Sequence, residues 1–286
     1  MEKYSELQQD ILADFKRYDR LNSNTSLIKI LVSYIKPSFL FKSEILTPIH
    51  LGRAIEKENS KDGIISDDDL KWLHENCIGD DDFEGDISDV NRRVGFLTGT
   101  YWAWKNYEKL GNPEYFGSFG YRRLLNPNFL DNLEKYDLIL PRKKDFKLET
   151  LKEQFSGYHG DKLYMNMMNV FNNIYPQEIA ELEKYFNGTS GYFDELYVMK
   201  KEIFFDFCEW IFPLLFEYLK MPQITLKNND FRDVGFMIER LTGYYCNKLT
   251  KQVKALEKDV IVTEKMIVNK QKLTKNLLAK LRNTMK

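Results

Sequence analysis

The sequence predicts an α/β domain over residues 26–249, a single sheet flanked by helices. Three observations predict it. From Ser26 onward, short β-branched and aromatic runs alternate with stretches of helical period. Aromatic residues make up 14% of the 286 residues, far more than a disordered chain carries. A chain of this length can bury a core without disulfide or metal staples, and its three cysteines (Cys77, Cys208, Cys246) include no CxxC pair.

The elements follow in order. Leu7, Ile11, Phe15 and Tyr18 fall about four apart, the stripe of an amphipathic N-terminal helix within residues 1–25. Ser26 to Ile35 is an apolar run closed by Lys36 and Pro37, a buried first strand. Residues 38–55 carry no clear period, and Pro48 excludes one continuous helix there. Residues 56–91 read as a polar, Asp/Gly-rich loop with a short helical piece around Leu70–His74. Val94 to Leu110 reads as an aromatic helix, ended by the turn Gly111–Asn112–Pro113. Strands are expected at Tyr115–Leu125, Asp137–Leu140 and Tyr192–Met199, with helix over 147–187. Helices are also expected at 201–220, interrupted at Pro213, and at 232–249.

Charge is unevenly placed. The formal net charge is −1, but residues 250–286 carry +7, leaving −8 for the rest. The tail has no Gly or Pro, and Val253, Leu256, Val260, Ile267, Leu277 and Leu281 recur at helical spacing. It reads as a basic amphipathic helix. Such a helix can dock on its own body, on a second copy as a homodimer, or on an anionic membrane surface. With no aromatic residues between its basic ones, nucleic acid is not an expected partner. The charged N-terminus is no signal peptide, and the greasiest stretch, 203–219, contains Asp206, Glu209 and Glu217. The expected location is cytoplasmic, peripheral at the inner face of the membrane.

Common catalytic signatures are missing: no P-loop, GxGxxG, GxSxG or HExxH is present. With only three histidines, a multi-His metal centre is not expected, and no metal ligand is assigned. The polar groups that remain sit at strand ends and turns. Ser33, Tyr34 and Lys36 close the first strand, where open α/β sheets bind ligands. The Gly79–Ser88 acidic stretch, with Asp86, lacks the spacing of an EF-hand. Tyr101, Trp104, Lys105 and Asn106 offer rings to stack on a base or sugar beside polar groups. Tyr121, Arg122 and Arg123 follow a strand, and a guanidinium fork matches a diphosphate. His159, Asp161, Asp194 and Glu195 are acid/base candidates.

These blocks, in this order, resemble a bacterial family first recorded as a domain of unknown function and associated with capsular and O-antigen polysaccharide glycosyltransferases. The resemblance rests on ILVSYIKP, EILTPIHLGRAI, IGDDDFEGDIS, TGTYWAWKN, YFGSFGYRRLL, YDLILPRKK, SGYFDELYVMKKEIFFDFCEWIFPLLFE and GFMIERL, which together cover about residues 28–245. It implies a GT-A-like fold and transfer of a sugar, galactose or galactofuranose among the candidates, from a UDP-linked donor to a glycan or lipid-linked glycan acceptor of a capsule or lipopolysaccharide. The donor would then lie against Ser33, Tyr34, Lys36, Asp86, Tyr101, Trp104, Lys105, Asn106, Tyr121, Arg122 and Arg123. The acceptor would meet His159, and the base would be Glu195, Asp194 or Asp161. Gly120 stands where the family motif has His, Phe96 where relatives carry a carboxylate, and Glu195 where an amide is expected. A divalent cation, Mn or Mg, stays open as a cofactor, since arginines can do its electrostatic work. The alternatives are a non-catalytic nucleotide- or glycan-binding relative and an interaction protein acting through its basic tail.

Overall fold

The computed structural model describes residues 2–22, 26–59, 63–226 and 230–264. Its strands are β1 (Ile28–Tyr34), β2 (Leu46–His50), β3 (Ile78–Gly79), β4 (Tyr115–Gly120), β5 (Arg123–Leu125), β6 (Leu138–Pro141), β7 (Lys144–Asp145), β8 (Ser190–Gly191), β9 (Tyr197–Lys200), β10 (Ala255–Lys258) and β11 (Val260–Val262). Its helices are α1 (Glu2–Lys16), α2 (Asp67–Asn76), α3 (Asn91–Val94), α4 (Leu97–Lys105), α5 (Leu151–His159), α6 (Asp161–Ile174), α7 (Ile179–Phe186), α8 (Lys201–Leu219) and α9 (Asp233–Leu249).

The main sheet runs in the order β10-β6-β9-β4-β1-β2-β3, with β5 joined to β4 and β11 to β5. Strands β1, β2, β3 and β4 are parallel, while β9 runs antiparallel to both β4 and β6. Pro48 sits inside β2, which looks at odds with a strand between two others. Yet β3 pairs only with Ile49 and His50, so Pro48 stands where β2 is still an edge and its missing N–H removes no ladder bond to β3.

Alternation along the strands splits the core into two layers. Ile30, Val32 and Tyr34 of β1 join Phe15 of α1 and Leu73 of α2 on one face. Leu31, with Phe116 of β4 and Tyr197 of β9, meets helices α4 to α9 on the other. The second layer is held partly by charge. Arg93 of α3 reaches Asp233 at the start of α9 at 3.0 Å, with Asp233 only 1% exposed.

Two helical expectations are corrected. Helix α8 runs unbroken through Pro213. That proline lies on the exposed side, so water can solvate the carbonyl it leaves without a partner. The expected C-terminal helix is instead two sheet strands over 255–262, β10 parallel to β6 and β11 antiparallel to β5. Leu256 and Val260 pack on the first core layer, so their apolar spacing serves strands of this sheet. Ile267, Leu277 and Leu281 lie outside the described residues.

Candidate active site

Because β1 to β4 are parallel, their carboxyl ends share one edge of the sheet. Ser33, His50, Gly79 and Gly120 stand there. Strand β9 runs the other way, so the segment leading into it, Asp194 and Glu195, arrives at that same edge. Both residues have left-handed backbone, φ 71° and 53°. Two such non-glycine residues in succession are unfavourable, and conformations of this kind concentrate at functional sites.

The floor of the edge is built by Asp80, 1% exposed. Its carboxylate accepts from the Gly52 and Arg53 amides at 2.8 and 3.1 Å and from the Ser88 hydroxyl at 2.5 Å. A buried carboxylate needs such donors. Here they fix the turn that follows β2 against the end of β3. Gly52 takes φ 71°, and a Cβ there would lie 2.9 Å from Asn91 Oδ1, so the turn requires glycine.

At the end of β4 the backbone opens onto space. A Cβ added at Gly120 would meet nothing within 4 Å. Directly after it, Arg122 pairs with Glu264 at 3.4 Å and Arg123 with Asp194 at 2.8 Å. The other oxygen of Asp194 receives Lys144 at 2.5 Å, and its backbone amide donates to Glu239 at 3.1 Å. Glu239 in turn accepts from Arg240 at 2.7 Å, and Arg240 donates to Gln154 at 2.9 Å. This chain of charge-assisted bonds runs from the end of β4 to α5 and α9.

Glu195 follows Asp194 and feels the charges of that network. Burial raises its carboxyl well above the ordinary value, the neighbouring Glu239 raises it further, and Arg232 and Arg240 pull it back. A carboxylate tuned upward in this way is a stronger proton acceptor when ionised. His159, at the end of α5, stacks on Phe236 at 4.1 Å. Burial, then Arg240, push its imidazole down to about 4, so it stands neutral at neutral pH.

Sequence signature and fold now meet. The signature of the DUF4422 family, a domain of unknown function, matches residues 29–252. The chain belongs to the DUF4422 family. No curated protein matches it. Among solved structures, the apo structure of the bifunctional glycosyltransferase WbbM matches with TM-score 0.69 at 23% identity, over 84% of this chain and 46% of that one. The chain therefore spans less than half of that protein's length. The likeness shows the fold, a GT-A-like sheet with helices on both faces.

Within this DUF4422 fold the expected residues separate into two groups. Ser33, Arg122, Arg123, Asp194 and Glu195 converge on the strand-end edge, with Lys36 exposed just beyond β1. The others are placed elsewhere. Tyr34 is fully buried, its hydroxyl donating to the Phe39 carbonyl and accepting from the Phe41 amide. Tyr121, 4% exposed, stacks on it at 5.2 Å. Strand alternation explains both: Ser33 and Gly120 share one face, Tyr34 and Tyr121 the opposite one. Tyr101 and Trp104 pack on Phe212 of α8, with Lys105 3.6 Å over the Trp104 ring. Asn106 is buried and bonds back to the Trp102 carbonyl. The end of α4 leads through the turn at 111–113 into the start of β4, the edge opposite the site. Asp86 holds the Ser88 amide at 2.9 Å as a loop-forming residue. Asp161 opens α6 on the surface, where its charge complements the helix end.

Lys144, Arg232, Glu239 and Arg240 were not singled out from the sequence, and Asp80 was read only as part of the Gly79–Ser88 acidic stretch. GFMIERL contains Glu239 and Arg240, but a Glu-Arg pair in a helix usually faces water, and only the fold turns it inward. Tyr121, Arg122 and Arg123, the residues that follow β4, include no carboxylate. Two of the three histidines do meet, however: His50 and His74 converge on Glu56. No helix among the described residues is long and apolar enough to cross a membrane.

Proposed function

We propose that this chain is a glycosyltransferase that moves a sugar from a nucleotide-linked donor to a glycan acceptor. The donor is UDP-linked, with galactose or galactofuranose as the first sugars to try. The acceptor is a growing capsular or lipopolysaccharide glycan, free or lipid-linked. One observation carries the reading. Gly120, whose side-chain position is open, the pair of arginines that follows it and the up-shifted carboxyl of Glu195 all stand at the carboxyl edge of a GT-A-like sheet.

Transfer breaks the bond between the anomeric carbon and the diphosphate oxygen. The charge that develops there needs fixed cations, which Arg122 and Arg123 supply once the diphosphate displaces Glu264 and Asp194. The acceptor hydroxyl loses its proton as the new carbon–oxygen bond forms. For inversion at the anomeric carbon, Glu195 takes that proton, and Glu239, Arg232 and Arg240 set its affinity for it. Asp194, still held by Lys144 and, through its backbone amide, by Glu239, is a positioning residue.

The pairing of both arginines with carboxylates favours a second reading, a nucleotide-sugar-binding relative without turnover. One experiment separates the two. UDP-sugars are screened by thermal shift, since ligand at 100 times its Kd adds about 2.7 kcal/mol of stability. Each binder is then tested for slow donor hydrolysis without acceptor. A shift with hydrolysis supports transfer. A shift alone supports the binding reading, and no shift with any nucleotide sugar overturns both.

A further inference from the structure

Farther along the same strand-end edge, at the end of β2, three ligand-type side chains from separate elements converge. We propose that His50, Glu56 and His74 form a site for a first-row divalent ion of the zinc class. His50 ends β2, Glu56 follows the short helical turn Arg53–Ile55, and His74 lies in the last turn of α2. Their ligand atoms all lie within 4.8 Å of one another. Glu56 Oε2 is 2.7 Å from His74 Nε2 and 3.6 Å from His50 Nδ1.

The second observation is the state of His50. It is 2% exposed, and its Nδ1 has no hydrogen-bond partner. A buried ring nitrogen is normally satisfied. The nearest acceptor, Glu56, is too far to bond it. A neutral imidazole presenting a lone pair from Nδ1 toward a carboxylate and a second imidazole is a donor set for a transition ion. Two nitrogens and one oxygen suit zinc better than magnesium or calcium, which take oxygen ligands. Three protein ligands leave a fourth position for water, and His74, partly exposed, gives the ion an entry path.

The ion would act as a staple. Glu56 follows the turn whose Gly52 and Arg53 amides are held by Asp80. Tying that turn to α2 fixes the loop after β2 beside the strand-end edge. The site is independent of the glycosyl-transfer reading, and its test uses no activity measurement.

Full-length chain carrying a tag without histidine is stripped with a chelator and titrated with zinc by calorimetry. Cobalt substitution is followed by visible absorption. Wild type is expected to take up stoichiometric zinc, gain thermal stability and show the strong visible bands of low-coordinate cobalt. Glu56→Gln and His74→Ala, at partly exposed positions, should fold and bind at least tenfold more weakly, with the cobalt bands lost. His50→Ala completes the set if it folds, and the other two variants suffice without it. No zinc uptake by wild type, or equal uptake by wild type and both variants, overturns the proposal.

Discussion

Arg123 Nη1 lies 2.8 Å from Asp194 Oδ1, so the residue opening β5 is bound to the segment entering β9. Lys144 holds the other carboxylate oxygen and Glu239 the backbone amide of Asp194. One aspartate thus joins three strands and α9. Its side chain is only 9% exposed, while the two cations that hold it keep 31% and 50% of theirs in solvent. The left-handed backbone at Asp194 adds a constraint that an amide meets and an alanine does not.

Asp194→Asn is therefore expected to lose roughly 1.5–3 kcal/mol, the worth of bonds to a charged group. Asp194→Ala should lose more, because it forfeits the bonds and also suits the left-handed backbone less. Denaturant unfolding of both variants measures the difference. An alanine variant at least as stable as the asparagine one would contradict the role given to the backbone here.

The arginine pair makes a separate prediction. Arg122→Ala and Arg123→Ala should each weaken UDP binding by about tenfold or more, at roughly 1.5–3 kcal/mol per charge-assisted bond. Calorimetry reads the affinity directly. If both variants bind UDP as wild type does, the diphosphate lies elsewhere.

Glu195 should show itself in two pH profiles. As the base, it works only when ionised, so transfer rises with pH through a carboxyl value lifted above the ordinary one. Glu195→Gln should bind donor normally and fail to transfer. Stability runs the opposite way. The folded state holds this proton where the unfolded chain has released it, so stability falls as pH rises from the ordinary carboxyl value through the raised one. The slope over that interval is about 1.4 kcal/mol per pH unit. Glu195→Gln removes the slope, and it should gain on wild type as pH rises. His159 acts in the other sense: its value is pushed down to about 4, so its contribution is lost on acidification from about 6.5 toward 4. A Glu195→Gln variant whose stability tracks wild type from pH 5 to pH 8 would remove the buried-acid assignment.

What the sequence made legible follows physical lines. β1, β4 and β6 were readable because buried strands are continuous apolar runs. The arginines after β4 and the acids before β9 were picked out because open sheets bind ligands at strand ends, and the fold brings them together there. Tyr34 was misjudged because neighbours in sequence face opposite sides of a strand: Ser33 turns to the cleft and Tyr34 to the core. Trp104 and Asn106 were misjudged because an aromatic helix is the same string of letters whether its rings meet a nucleoside or Phe212. Helical and strand spacing cannot be told apart over four residues, which hid β10 and β11 in a lysine-rich tail. Glu239 and Arg240 join the network only through contacts with Asp194 and Gln154, far away in sequence.

Two truncations now have opposite expected outcomes. Deleting 250–286 removes β10 and β11, the first bonded along β6 and the second along β5. It also removes Thr263, fully buried, which accepts from Gln8 of α1 and donates to the Tyr121 carbonyl at 2.6 Å. Glu264, the partner of Arg122, goes too. That chain should lose soluble expression, because it exposes two sheet edges and the core under Leu256 and Val260. Deleting only 265–286 leaves every one of these contacts and should fold with wild-type cooperativity. It removes seven Lys/Arg and no Asp/Glu, and each basic residue is worth about 1 kcal/mol near an anionic membrane. If the segment serves as a membrane anchor, the short truncation loses binding to phosphatidylserine vesicles. Wild-type binding should then fade with salt, since screening acts within about 10 Å at 0.1 M. If it serves a second copy, light scattering changes and vesicle binding does not. Soluble, folded protein from the 250–286 deletion would show that β10 and β11 are dispensable to the sheet.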